Sequence, residues 1–327
     1  MVLGDYERAH FFPDGVGAWV DELKCETKVI KPGEQGEFRN ILESYEPEIV
    51  LGGWDMPPLP LESLELNGGT VRYFCFLSGS ARKQIEDEHL KCGLIMTNWG
   101  NWIGPYVAEC ALLLILSALR QVARLGYRLK AEGTWRERFL DNRSLFGKRV
   151  GLHGFGTIAQ SLVELMRPFK PVVTADTGVP EVILKKYDVV RARSTEALFE
   201  ESDILVELKP LTKRTEKSVT EDLLNRLPEG ACFVNIGRGK VVDEEALVHV
   251  AQKGKIQVAL DVYAVEPLPH DSPFREMSNV FTLPHMGGAT IDRGRFCGEQ
   301  AMLNVRRYLA GEPLKNLVDE ATFKRAT

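Results

Sequence analysis

From residue 148 onward the chain repeats one pattern, a short apolar run followed by a longer amphipathic stretch. Residues 150–153, 172–176, 204–208, 232–236, 257–262 and 280–283 read as strands. Residues 158–169, 196–200, 220–227 and 244–252 read as the helices between them. Strands that alternate with helices must run parallel, because each return needs a crossover, so the pattern predicts an α/β fold with a doubly wound parallel sheet. Upstream, residues 71–77 and 94–97 read as two more strands. Residues 107–129, rich in Ala, Leu and Ile with Arg120, Arg124 and Arg128 at four-residue steps, read as one long helix, and 290–310 as another. The segment 49–66, broken by Gly52-Gly53, Pro57, Pro58 and Pro60, reads as a loop.

Composition narrows the class. A chain of 327 residues, 44% apolar and 27% charged, suits two soluble domains. The net charge of -5, with Lys and Arg scattered, argues against nucleic acid as a partner. Residues 1–15 lack the pattern of a secretory signal, and the apolar stretch 110–119 is too short to span a bilayer, so a cytoplasmic protein without a membrane partner is expected. The six cysteines lie far apart without a CxxC pair, which predicts buried thiols and no metal site.

The first candidate chemistry follows the strand at 150–153. Gly154-Phe155-Gly156-Thr157-Ile158-Ala159 is a GxGxxA turn opening a helix. Gly154 permits the sharp turn, Gly156 lets a diphosphate approach the backbone, and the helix start at Thr157 and Ile158 offers N–H groups and a dipole. Asp176 ends the next strand, where a carboxylate takes ribose hydroxyls. With Thr177-Gly178 rather than Arg behind it, the carboxylate favours NAD over NADP.

Three later strand ends carry polar residues: Ile236-Gly237-Arg238-Gly239, Asp261 with Glu266-Pro267, and Pro284-His285-Met286-Gly287. Arg238 can grip a carboxylate, His285 can carry a proton, and Glu266 can polarise the imidazole.

The stretches GLHGFGTIA, LVELKPLTKRT, FVNIGRGKVVDEEAL, ALDVYAVEP and TLPHMGGAT resemble, in order, the signatures of the D-isomer-specific 2-hydroxyacid dehydrogenases, the family of phosphoglycerate dehydrogenases and hydroxypyruvate reductases. The likeness runs from about residue 71 to 313. It implies two Rossmann-like domains: a discontinuous substrate domain of residues 1–103 and 287–327, and a nucleotide domain of residues 104–286 through which a homodimer forms. It implies reversible reduction of a 2-keto acid to a D-2-hydroxy acid with NADH. His285 would be the proton donor paired with Glu266, and the substrate carboxylate would lie on Arg238 and the backbone of Ser78-Gly79-Ser80. Asp261 would hold the nicotinamide carboxamide, with Ile236, Gly237 and Gly287 beside it, while Lys209, Pro210 and Thr215 would line the adenine side.

The turn Ser78-Gly79-Ser80-Ala81-Arg82-Lys83 departs from the family's G-x-G-x-D-N; Arg82 and Lys83 read as a solvated helix start or, alternatively, as a second anion site. Phe76 stands where phosphoglycerate dehydrogenases carry Arg. Trp54, Trp99 and Trp102 are candidates for an aromatic pocket. Two other activities share this outline: a dehydrogenase of formate or phosphite, its cleft plugged by Phe76 and Trp54, and an NAD(H)-sensing protein of the corepressor type.

Overall fold

Apolar residues that alternate along a strand bury one face each, and the N-terminal strands do this on both sides. The computed structural model describes residues 1–30, 37–135 and 142–325 and divides into two compact units, Met1–Ile103 together with Ala289–Thr327, and Gly104–Gly288. The first unit opens with α1 (Asp5–Phe11), α2 (Gly17–Leu23), α3 (Phe38–Tyr45) and β1 (Ile49–Gly52), then β2 (Tyr73–Phe76), α4 (Asp87–Lys91) and β3 (Ile95–Thr97). The strands form a parallel sheet in the order β1-β2-β3. On one face Val50, Phe74, Phe76 and Met96 pack with Phe38 and Leu59; on the other Leu51, Tyr73 and Cys75 pack with Phe11 and Met302.

Strand β1 corrects the expectation of a loop from residue 49. The glycines and prolines begin only at Gly52, and the apolar residues before them are long enough to pair with β2, Ile49 opposite Tyr73. Gly52 ends the strand where a side chain would collide with Met56, 2.3 Å from its sulfur.

The second unit contains α5 (Gly104–Leu119), α6 (Val122–Ala131), β4 (Arg149–His153), α7 (Thr157–Met166), β5 (Val172–Asp176), α8 (Glu181–Lys186), β6 (Val190–Arg191), α9 (Thr195–Glu200), β7 (Ile204–Glu207), α10 (Glu221–Arg226), β8 (Cys232–Asn235), α11 (Glu244–Gln252), β9 (Gln257–Leu260) and β10 (Val280–Thr282). Its seven strands are all parallel, in the order β10-β9-β8-β7-β4-β5-β6. The strand order reverses between β4 and β7, the crevice where open sheets of this kind bind dinucleotides. Central strands β7 and β8 are buried throughout, as continuous apolar runs require.

Two expectations change here. The single helix over 107–129 is two, because Gln121 adopts a left-handed backbone (φ 50°) that interrupts the hydrogen-bond ladder. The apolar run is also longer than its core: Gly100–Leu119 is 20 residues and by length and composition alone could cross a bilayer. Half of that stretch is buried in the protein, and α5 packs on α7, β8 and β9. The cysteines are free thiols, of which Cys75, Cys232 and Cys297 are buried and Cys25 is exposed.

Helices α12 (Gly294–Leu309) and α13 (Glu320–Arg325) return to the first unit. Gly298 lets α12 lie against α1, since a side chain there would stand 2.2 Å from the Phe11 carbonyl oxygen.

Candidate active site

At the reversal of strand order, Gly154 takes φ 111°, and a Cβ there would press at 3.1 Å on the Leu208 carbonyl and the Lys209 nitrogen. Only glycine fits this turn. Gly156 then caps α7, and a Cβ built on it meets nothing within 4 Å. The ten-residue helix beginning at Thr157 and Ile158 thus starts beside open space at Gly156, and the N–H groups of a helix start are the donors a diphosphate needs. Ala159 is fully buried beneath it.

Asp176 closes β5 in register with His153 at the end of β4. Its Oδ2 accepts from Lys209 Nζ at 2.7 Å and Thr195 Oγ1 at 2.8 Å. Burial works against its ionisation, but these donors outweigh it and hold the carboxyl below its ordinary value. Lys209, Pro210 and Thr215 share the loop after β7. The Thr215 hydroxyl donates to the Pro210 carbonyl at 2.6 Å and accepts from the Thr212 N–H at 2.8 Å, closing that loop on itself.

Arg238, Glu266 and His285 follow β8, β9 and β10 in turn. Beyond β8, Asn235 Oδ1 accepts from the Gly237 N–H at 3.1 Å, and Ile236 is buried. Gly239 passes so close to the segment after β9 that a Cβ would stand 1.9 Å from the Tyr263 carbonyl carbon. Arg238, between the two glycines, donates from Nη1 to the Gly237 carbonyl at 2.8 Å. Burial pulls its pKa down while Glu266 acts the other way. Arg238 is near enough for its charge to act on both Glu266 and His285.

The histidine is held at several points. His285 Nδ1 lies 2.6 Å from Glu266 Oε2, and Glu266 Oε1 accepts from the Tyr263 N–H at 3.0 Å. The Tyr263 hydroxyl donates to the Leu283 carbonyl at 2.7 Å, tying the loop of Glu266 to that of His285. Asp261, which is buried, accepts from the N–H groups of Met286 at 2.8 Å and Gly287 at 2.9 Å. Gly287 permits this approach, since its Cβ would stand 2.8 Å from the Asp261 carboxylate. His285 itself has φ 51°, a left-handed conformation costing about 1 kcal/mol or more. The hydrogen bond to Glu266 raises the His285 pKa, with burial opposing it. The Glu266 carboxyl is held low by His285 and the Tyr263 N–H, against the effect of its own burial.

In the other unit, Ser78-Gly79-Ser80 follows β2. Ser78 is buried, and its hydroxyl has no hydrogen-bond partner among the described residues. The carbonyls of Ser78 and Gly79 accept from the Trp99 N–H at 3.2 Å and Asn98 Nδ2 at 2.6 Å. Trp54, after β1, meets Trp99 edge-on with centroids 5.9 Å apart and lies 6.3 Å from Tyr6. Trp102 is not part of this group; it packs with Phe296. Phe76 is core, 1% exposed. Arg82 is occupied with Asp87 Oδ1 and the Phe323 carbonyl, both at 2.8 Å, and lies over the Phe323 ring. Of the two readings of Arg82, these contacts favour a structural role.

Sequence reasoning passed over His153 and Glu207. Their carboxylate–imidazole bond joins the ends of β4 and β7, and Glu207 Oε1 also accepts from the Lys209 N–H at 2.7 Å. The signal was a charged residue ending an otherwise apolar strand.

Residues 112–287 match the family described as D-isomer specific 2-hydroxyacid dehydrogenase, NAD binding domain. The hydroxypyruvate reductase of Thermotoga maritima is 35% identical over 222 residues, 66% of this chain and 71% of that one. A glyoxylate/hydroxypyruvate reductase B of Yersinia enterocolitica is 33% identical, over 67% and 69%. A glyoxylate reductase from Paecilomyes thermophila superposes over 98% of both chains with a TM-score of 0.81 at 22% identity, a likeness of fold. The chain thus belongs to the D-isomer specific 2-hydroxyacid dehydrogenases, NAD-dependent oxidoreductases acting on CH–OH groups.

Proposed function

We propose that this protein reduces a short 2-keto acid of the glyoxylate or hydroxypyruvate kind to its D-2-hydroxy acid, reversibly. The carrying observation is the His285–Glu266 pair beside Arg238 at the ends of three adjacent strands. NADH, when bound, supplies the hydride to the carbonyl carbon. Arg238 holds the substrate carboxylate with the backbone N–H groups of Ser78, Gly79 and Ser80. Glu266 takes Nδ1 of His285, which leaves Nε2 to donate its proton to the carbonyl oxygen as charge builds there. In oxidation neutral His285 accepts that proton. Asp261 serves this step by fixing the loop of His285 as well as by facing the nicotinamide with Ile236, Gly237 and Gly287. Gly154, Gly156, Thr157 and Ile158 hold the diphosphate; Asp176 holds the ribose; Lys209, Pro210 and Thr215 border the adenine.

Residues 1–103 and 287–327 act as the substrate domain and 104–286 as the nucleotide domain. The working form is a cytoplasmic homodimer. Exposed Leu113, Val122, Tyr127 and Leu129 on α5 and α6 support this, and sedimentation velocity tests it.

The enzymatic test follows NADH absorbance with glyoxylate, hydroxypyruvate, phenylpyruvate and oxaloacetate, in the wild type and in His285→Ala. Turnover of a small 2-keto acid that the variant loses is expected. NADH binding without turnover of any of them would overturn the reading.

A further inference from the structure

The first unit holds a cavity of about 190 Å³ that no step of the proposed reaction uses. It lies around the start of β1, at the opposite end of the parallel sheet from Ser78, which follows β2. Residues 1–2 run beside β1, the Val2 N–H donating to the Leu51 carbonyl, and the Ile30 N–H donates in turn to the Met1 carbonyl. These edges, together with α3 and α12, enclose the space. Val2, Ile30, Phe38, Leu42 and Leu51 wall it, with Val305 from α12, each at most 7% exposed and none with a polar side chain. The sequence between Ile30 and Glu37 is Lys-Pro-Gly-Glu-Gln-Gly, without a large apolar side chain.

Folded interiors leave few voids larger than a water molecule, so one of this size stands out. Apolar walls do not retain water, and a cavity of about 150 Å³ lined in this way stays dry and admits benzene. One polar group breaks the apolar lining. Tyr45 of α3 faces the same cavity, and its hydroxyl is buried with no hydrogen-bond partner among the described residues. Burial and the charge of Glu26 raise its pKa, so it stays a protonated donor that lacks an acceptor. The same Glu26 charge disfavours an anion as that acceptor.

We propose that this cavity is a second binding site, for an uncharged molecule the size of one aromatic ring that carries a single oxygen to accept from Tyr45. Phenol belongs to this class. The ring gains the dispersion contacts that the empty space forgoes, and the oxygen satisfies the buried hydroxyl. The site shares no residue with the positions assigned to substrate or dinucleotide.

Calorimetric titration of phenol into the protein saturated with NADH reads this site with the dinucleotide site already filled. A saturable heat with a dissociation constant of about 1 mM or below is expected, and its absence would overturn the proposal. Benzoate, the same ring with a charge, should bind at least about tenfold more weakly; equal binding would make the uncharged class wrong. Val305→Trp, which puts a ring into the cavity from α12, should weaken phenol by about tenfold or more while the melting temperature holds or rises. Undiminished phenol binding in that variant would put the ligand elsewhere and overturn the proposal. If Val305→Trp folds poorly, Tyr45→Phe decides, because it leaves the walls as they are. It should weaken phenol by about fivefold, the worth of one hydrogen bond, and leave toluene unchanged. An equal effect on both ligands, or on neither, would sink the proposal.

Discussion

Glu266–His285 and Glu207–His153 are chemically the same pair, a carboxylate on Nδ1 of an imidazole, each at strand ends of one sheet. They differ in surroundings. The first pair is 35% and 49% exposed, the second 0% and 2%. The exposed histidine sits in a strained loop pinned by Asp261 and can hand a proton to a ligand. The buried one joins β4 to β7 where the strand order reverses and is closed off from solvent. On the proposed mechanism the same residues serve chemistry in one place and architecture in another, and solvent access separates the two.

The widest expected gap is in activity. His285→Ala should lower kcat by about 10²-fold or more, the usual worth of a positioned acid, with NADH affinity and melting temperature little changed. Stopped-flow turnover and a thermal melt would check this. A histidine merely supporting the fold would instead move the melt.

Glu207→Ala should do the converse and lower stability by about 3 kcal/mol, because it strands a buried imidazole and the Lys209 N–H without their acceptor. Denaturant melts would read it. A loss under about 1 kcal/mol would show that water or a neighbour replaces the carboxylate easily.

Next in size is a shift in pH. With His285 as the proposed proton donor, reduction needs its protonated form, so kcat/KM for reduction is full at low pH and falls as pH rises through the His285 pKa, while oxidation rises there. The Glu266 hydrogen bond raises that pKa, which places both limbs above the usual histidine value. Glu266→Gln removes the main cause and should move both limbs to lower pH. Unmoved limbs would mean that another group titrates.

The two pairs were also unequally legible in the sequence. His285 stood between Pro284 and glycines after an apolar run, and the family likeness gave it a role. His153 and Glu207 each read as one polar residue at a strand end, and their pairing depends on β4 lying beside β7, a neighbour relation 54 residues apart in sequence. The same limit hid Lys209 from Asp176, since only the sheet order β7-β4-β5 brings the loop after β7 within reach of the end of β5. Apolar runs revealed most of the strands because burial demands them. They failed at β6, two residues long, and at β1, where the turn glycines begin within the strand. The break at Gln121 escaped because no glycine or proline marks it.

The smallest expected effect is the sharpest test of the comparison. Replacing both members of a buried ion-bearing pair with apolar residues of similar size removes the desolvation cost along with the attraction, so the two nearly cancel. His153→Val with Glu207→Leu should therefore recover most of the stability lost in Glu207→Ala and come within about 1 kcal/mol of the wild type. The residual cost is the Lys209 N–H, which loses its 2.7 Å acceptor but lies at a partly exposed loop where water can reach it. The matching double replacement of Glu266 and His285 should leave stability similarly untouched and abolish turnover. If the buried double variant instead stayed as unstable as Glu207→Ala, the pair would be more than architecture. Its charge would then be needed by Asp176 and Lys209 above it.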